Sequence, residues 1–165
     1  MKDLKKKLLK VGKDAQKVAQ GEINFGGCCV YAALVARELI ARGHPARGVV
    51  YAGLFDDNSA NLDEVRNELR EPKTVRAWNK RGVVFNHVAI ETEIGDETVV
   101  FDSDGFRQPR GDMYAGRLTV EELEALAGLG PNETETHRGW NSTFDRDLIP
   151  DLRETVQRHF NKGDQ

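Results

Sequence analysis

Apolar side chains recur along the chain with two periods, one typical of helices and one typical of strands. A spacing of three to four residues predicts helices over residues 2–20, 28–42 and 144–160, and a capping-box pattern predicts another over residues 119–127. Alternating runs rich in β-branched residues predict strands over residues 47–55, 83–92 and 97–105. Because the strands follow one another with hairpin connections, we expect an α+β fold, an antiparallel sheet with helices packed on it.

Helix termini are marked by residues that suit them. Gly21 ends the first predicted helix, and Gly43 followed by Pro45 ends the second. Thr119 and Glu122 have the spacing of a capping box at the start of the third helix. These signals fix the predicted boundaries more closely than periodicity does.

Residues 56–82 differ in character from the rest of the chain. They are polar and charged, and contain Trp78 and a break at Pro72. We interpret them as an insertion over the surface. Two roles stay open for this insertion, a lid or specificity loop and a merely solvated excursion.

Composition favours a single soluble domain and disfavours two classes of partner. The chain has 165 residues and a net charge of −3, with acidic and basic residues interspersed, which disfavours a dedicated nucleic-acid binder. No apolar run approaches the roughly 20 residues of a membrane span, and the N-terminus lacks the apolar segment of a secretory signal. We therefore expect a cytoplasmic protein. The seven lysines of the first helix are interpreted as its solvated face, with a nucleic-acid or membrane-surface role as the less favoured alternative.

The only two cysteines, Cys28 and Cys29, adjoin each other at the start of the second helix, in the stretch NFGGCCVYAALVARELIARGHPARGVV. Neighbouring cysteines make a strained disulfide, so a reduced protein is expected. The unpaired N–H groups of a helix N-terminus stabilise a thiolate, which is the nucleophilic form of cysteine. Helical periodicity does not decide which of the two is exposed.

A nucleophilic thiolate needs a base, and the base needs an orienting group. Of the four histidines, His87 alone lies inside an apolar predicted strand, where it is either a buried structural residue or a base. Asp102 ends the strand that should pair with the strand of His87. It is either a turn former or the group that orients His87, since a hairpin register can bring the two together.

The stretch Asn24–Val50 resembles the core motif of the transglutaminase-like superfamily. The motif is matched without a gap by Gly26, Cys28, Tyr31, Ala32, Leu34, Gly43, Pro45, Ala46 and Arg47. The later blocks of that family, a strand led by histidine and a strand ending Phe-Asp, are matched by NHVAIET and VVFDSDG. Two positions depart from the pattern: Ala89 stands where an aromatic residue is frequent, and Ser103 stands where proline is usual.

The resemblance implies a papain-like fold, in which a nucleophile helix packs on an antiparallel sheet with flanking N- and C-terminal helices. The expected organisation is one domain, 1–165, with its core at 24–105, the surface insertion at 56–82 and a helical C-terminal extension at 111–165. In that extension and just before it, no chemistry is assigned; Arg107, Arg110 and Trp140 either line a cleft or lie on the surface.

The resemblance also assigns roles: Cys28 as nucleophile, His87 as base and Asp102 as orienting group. The Cys28 backbone N–H is the expected oxyanion donor, with Asn24 as a candidate for the second. The implied activity is a thiol hydrolase acting on an amide or peptide bond of a protein or peptide substrate, as a thiol protease, amidase or deamidase, with transamidation as another outcome. No metal, nucleotide or organic cofactor is implied.

A second hypothesis belongs to another class: a catalytically dormant binding protein or small effector on the same fold, for example one encoded by a phage. The intact Cys-His-Asp set argues against it. The sequence does not indicate the oligomeric state.

Overall fold

The computed structural model describes residues 2–24, 26–54, 83–107, 114–129 and 144–161. Within these ranges the chain forms four α-helices and a five-stranded sheet, which confirms the α+β class. The helices are α1 (Lys2–Val18), α2 (Cys28–Ala41), α3 (Val120–Leu126) and α4 (Ile149–Asn161). The strands are β1 (Ala46–Leu54), β2 (Val83–Ile94), β3 (Glu97–Asp102), β4 (Gly105–Arg107) and β5 (Tyr114–Leu118).

The sheet is antiparallel and has the strand order β4-β3-β2-β1-β5. The β2–β3 hairpin was predicted, and β1 pairs with β2 on its other side. Two strands were not predicted, since β4 and β5 are short. Strand β5 (YAGRL) lies in the segment 111–165 that we expected to be helical, so this segment contributes an edge strand as well as α3 and α4. Its small residues give no alternating apolar pattern, and its partner strand β1 is far away in sequence.

Helix α2 occupies the centre of the hydrophobic core. Every residue from Cys28 to Ala36 is buried, and so is Leu39. The helix packs against β1, β2, α3 and α4, which explains why its sequence is apolar on nearly all sides. The N-terminus of α2, where both cysteines lie, is therefore held by contacts from both helices and strands.

Helices α1 and α4 pack against each other and bury one face each. In α1, Leu8, Val11 and Ala15 are buried, while Lys6, Lys10, Lys13 and Lys17 are exposed, as predicted for these lysines. Helix α4 begins at Ile149 and not at residue 144, because Phe144 precedes a short 3₁₀ turn, Arg146–Leu148.

The predicted capping box of α3 is present with both of its bonds. The Glu122 backbone N–H donates to the Thr119 hydroxyl, and the Glu122 carboxylate accepts from the Thr119 backbone N–H. Among the described residues, no helix has both the length and the apolar character needed to cross a bilayer.

Candidate active site

Helix α2 begins at Cys28, with Gly27 as its N-cap residue and no side chain capping the first turn. A side chain at Gly27 would force its neighbours to shift, because a Cβ atom there would lie 2.5 Å from the Phe144 ring and 2.9 Å from the Ile23 backbone. The N–H groups of the first turn and the helix dipole favour a negative charge at this point. Cys28 lies in that field and is 7% exposed.

The two adjacent cysteines lie in different surroundings. Cys29 is fully buried, and its Sγ lies 3.7 Å from the Leu123 carbonyl oxygen. Burial and the neighbouring Cys28 raise the pKa of Cys29 well above its usual range. Cys28, by contrast, lies near enough to His87 to raise the pKa of that histidine. Cys29 is thus a packing residue of the core, and Cys28 is the cysteine that adjoins a titratable partner.

His87 and Asp102 are brought together by the register of the β2–β3 hairpin. Ile90 pairs with Phe101, so Asp102 comes opposite Ala89 and diagonally beside His87 on the same face. His87 Nε2 lies 2.8 Å from Asp102 Oδ2. Because a carboxylate only accepts, Nε2 carries the hydrogen, and Nδ1 is the nitrogen left for Cys28. The predicted proximity of His87 and Asp102 is confirmed.

The surroundings of His87 favour its protonated form. Its side chain is 25% exposed, and the Tyr51 ring stacks on it at a centroid distance of 6.1 Å. Burial lowers the pKa of His87, but the hydrogen bonds to Asp102 and Cys28 and the charges of these groups outweigh burial and raise the pKa to about 9. At neutral pH the imidazole is therefore an imidazolium, held between the Asp102 carboxylate and the Cys28 sulfur.

Asp102 is held through both of its carboxylate oxygens. Its side chain is 3% exposed; Oδ2 accepts from His87, and Oδ1 accepts from the Asp104 backbone N–H at 2.9 Å. The second bond closes a tight turn that ends at Gly105, whose φ of +124° suits glycine. The same aspartate is thus both a turn former and the partner of His87, which the sequence left as alternatives.

Tyr31, one turn after Cys28, presents a polar atom to the same region. Its hydroxyl is buried and has no hydrogen-bond partner among the described residues. Burial, followed by the charges of Asp102 and Asp104, raises the pKa of this hydroxyl. A buried unpaired hydroxyl is uncommon in native proteins. In the sequence Tyr31 stands out only as a motif position, and no local pattern places its hydroxyl near the carboxylates.

Several predicted positions fall outside the described residues. The backbone of Asn24 ends a short 3₁₀ turn, Glu22–Asn24, just before α2, but its side chain lies outside the described part of the structure. So do the insertion at 56–82, Arg110 and Trp140, together with the side chain of Arg107, whose backbone closes β4. The roles suggested for these positions stay predictions.

A second cluster of charges lies farther along β2. Glu91, 7% exposed, accepts hydrogen bonds from Arg47 on β1 and from Arg117 on β5, at 3.1 and 3.2 Å for the two Arg117 nitrogens. Burial raises the pKa of Glu91, but its two arginine partners outweigh burial and hold it below the usual range. This cluster links three strands and was not predicted.

Within the described ranges, no three histidine, cysteine, aspartate or glutamate side chains are grouped as metal ligands. Comparisons with known proteins give no family: no protein-family model, no curated protein and no solved structure matches the chain significantly. The chemistry of the site is therefore the basis for a functional proposal.

Proposed function

We propose that the protein is a thiol hydrolase that cleaves an amide or peptide bond, with Cys28 as nucleophile, His87 as acid and base, and Asp102 as orienting group. The observation that carries the proposal is the position of His87, which donates from Nε2 to Asp102 at 2.8 Å and lies near enough to Cys28 for this residue to raise its pKa. We also propose that the fold is the papain-like, transglutaminase-like one. The packing of α2 on the antiparallel sheet supports this.

In the proposed acylation step, the Cys28 thiolate attacks the carbonyl carbon of the substrate. The carbonyl oxygen becomes an oxyanion near the first turn of α2, whose Cys28 N–H is a suitable donor. The His87 imidazolium then gives its Nδ1 proton to the leaving amine, the carbon–nitrogen bond breaks, and a thioester remains. Asp102 keeps Nε2 protonated throughout, which fixes the ring orientation.

In the deacylation step, neutral His87 removes a proton from water, and the resulting hydroxide attacks the thioester. A carboxylic acid leaves and the Cys28–imidazolium pair is restored. A primary amine in place of water would give transamidation with the same groups.

One observation favours the second candidate function, a catalytically dormant binding protein. Cys28 is only 7% exposed, and a nucleophile must be reached by its substrate. A dormant protein of this kind would keep the three side chains as a buried polar cluster that orders the sheet and the end of α2. The two functions differ in the reactivity of the Cys28 thiol.

The experiment that tests the proposal is alkylation of the intact protein with iodoacetamide between pH 4 and pH 9, followed by peptide mapping. At pH 6 a free cysteine is almost wholly protonated and reacts slowly. A thiolate paired with an imidazolium should react at least about 10-fold faster than a cysteine peptide. His87→Ala should remove the excess, whereas His44→Ala, in the turn after α2, should leave it unchanged.

Two outcomes would contradict the hydrolase. In one, Cys28 reacts no faster at pH 6 than the reference peptide; in the other, the label is found mainly on Cys29. A reactive Cys28 would justify a screen of peptides with and without a primary amine, read by mass spectrometry, which separates hydrolysis from transamidation.

A further inference from the structure

The turn that carries Asp102 is contacted from outside the sheet by helix α1. This helix precedes the candidate site in sequence and lies outside the motif from which the site was predicted. Gln16 Nε2 donates to the Ser103 hydroxyl at 2.7 Å and to Asp104 Oδ1 at 3.0 Å. Both acceptors belong to the two residues that directly follow Asp102. Gln16 therefore fixes the turn whose Asp104 N–H binds Asp102 Oδ1.

Gly12 lies one helical turn before Gln16 and brings the helix backbone onto the same turn. A Cβ atom at Gly12 would lie 2.6 Å from the Ser103 carbonyl oxygen and 3.2 Å from its Cα. The first of these distances is too short for any side chain, and the obstructing atoms are backbone. Glycine is thus required here by close approach, although it costs an exposed helix about 1 kcal/mol relative to alanine.

Other contacts also hold α1 in place. The helix is anchored by buried Leu8, Val11 and Ala15, and by the Asp14 carboxylate, which lies 2.9 Å from His159 Nε2 on α4. The pair of donated bonds from Gln16 has a more local effect. It restrains Ser103 and Asp104, and through them the direction of the Asp102 carboxylate.

We propose that Gln16 and Gly12 are positioning residues for Asp102: helix α1 holds the 102–105 turn so that the carboxylate stays hydrogen-bonded to His87 Nε2. The role of Asp102 in catalysis rests on the proposed function, but its positioning does not. Positioning can be measured on His87 itself, whether or not Cys28 is a nucleophile.

The test is an NMR titration of the His87 ring, assigned by the resonance lost in His87→Ala. Gln16→Met keeps the length and helix propensity of the side chain but removes the donor. Gly12→Ala pushes the Ser103 backbone outward. Each change should lower the pKa of His87 by at least about 0.5, an about threefold weaker proton affinity, because the bond to Asp102 becomes longer or less occupied.

Ser103→Ala removes one acceptor of the Gln16 bond and supplies a second route to the same result. If Gln16 acts through Ser103, the double variant Gln16→Met, Ser103→Ala should lower the pKa of His87 by less than the sum of the two single changes. The matched control is Asp14→Asn, on the same helix, which weakens the contact with α4 and leaves the turn alone. It should lower stability without moving the pKa of His87.

The proposal is wrong if Gln16→Met and Gly12→Ala fold and leave the pKa of His87 unchanged, or if Asp14→Asn lowers it equally. Either result would make α1 a general packing element. The rate of Cys28 alkylation at pH 6, measured on the same variants, keeps the two hypotheses apart. A slow wild-type rate with a shifted His87 pKa in the variants would refute the hydrolase and retain the positioning role.

Discussion

Replacing Asp102 with asparagine exchanges one carboxylate oxygen for an NH₂ group, and it should have a large effect on the pKa of His87. Both carboxylate oxygens accept hydrogen bonds, one from His87 Nε2 at 2.8 Å and one from the Asp104 backbone N–H at 2.9 Å. An amide has only one oxygen. Whichever way it is turned, its NH₂ group faces either His87 or the Asp104 N–H, so either the Asp104 bond is lost or Nε2 must give up its hydrogen and accept from the amide. The negative charge beside the imidazolium is lost as well.

The magnitude follows from the pKa of His87. Its rise from 6.5 to about 9 is equivalent to about 3 kcal/mol in favour of the protonated form. Because the pKa is raised on folding, this contribution to stability is fully present below pH 6.5 and is lost as the pH rises through 9. Without the carboxylate, burial still lowers the pKa of His87, and only the contact with Cys28 raises it. We expect Asp102→Asn to lower this pKa by at least about 1 unit, or about 1.4 kcal/mol.

Two measurements check this prediction. An NMR titration gives the pKa of His87 in each protein, and urea denaturation at pH 6 and pH 9.5 gives the free energy of unfolding. The destabilisation caused by Asp102→Asn should be larger at pH 6 than at pH 9.5, because at high pH the wild type has lost the same contribution. Asp96→Asn, in the exposed β2–β3 turn, is the charge-matched control and should show no such dependence.

The reasoning is refuted if wild-type His87 titrates near 6.5, since the carboxylate would then not hold the proton. It is also refuted if Asp102→Asn leaves the pKa of His87 unchanged, or destabilises the protein equally at both pH values.

Two further predictions concern the surroundings of the site. Glu91→Gln should cost about 1–2 kcal/mol at pH 7, between the values for exposed and buried pairs, because Arg47 and Arg117 are half-exposed. Since the pKa of Glu91 is lowered on folding, its contribution to stability is lost as the pH falls below 4.5. In urea denaturation, the difference in unfolding free energy between the wild type and Glu91→Gln should therefore be smaller at pH 3 than at pH 7. Equal differences at the two pH values would contradict this prediction. Gly27→Ala should cost about 1–3 kcal/mol by displacing the Phe144 ring, and Phe144→Leu in the same chain should recover part of that loss. Additive losses in thermal or urea denaturation would show that the two residues are independent.

The sequence alone predicted the elements that have a strong local signal. Three of the helices follow from apolar spacing, α3 from its capping box, and the end of α2 from Gly43 and Pro45, because these signals act within a few residues. The hairpin itself was also predicted, since the two strands adjoin in sequence. Its register, which the sequence left open, places His87 beside Asp102. Their catalytic role, and that of Cys28, stays a prediction.

Tertiary structure alone decided the contacts between segments far apart in sequence. Strand β5 pairs with β1, Phe144 fills the space over Gly27, and Gln16 binds Ser103 across 87 residues. None of these contacts leaves a pattern in its own segment, because each depends on which surfaces meet after folding. The charge state of His87 is likewise decided by the tertiary structure. It is set by the balance between burial, a carboxylate and a thiol, and that balance exists only once helix α2 and the β2–β3 hairpin have packed together.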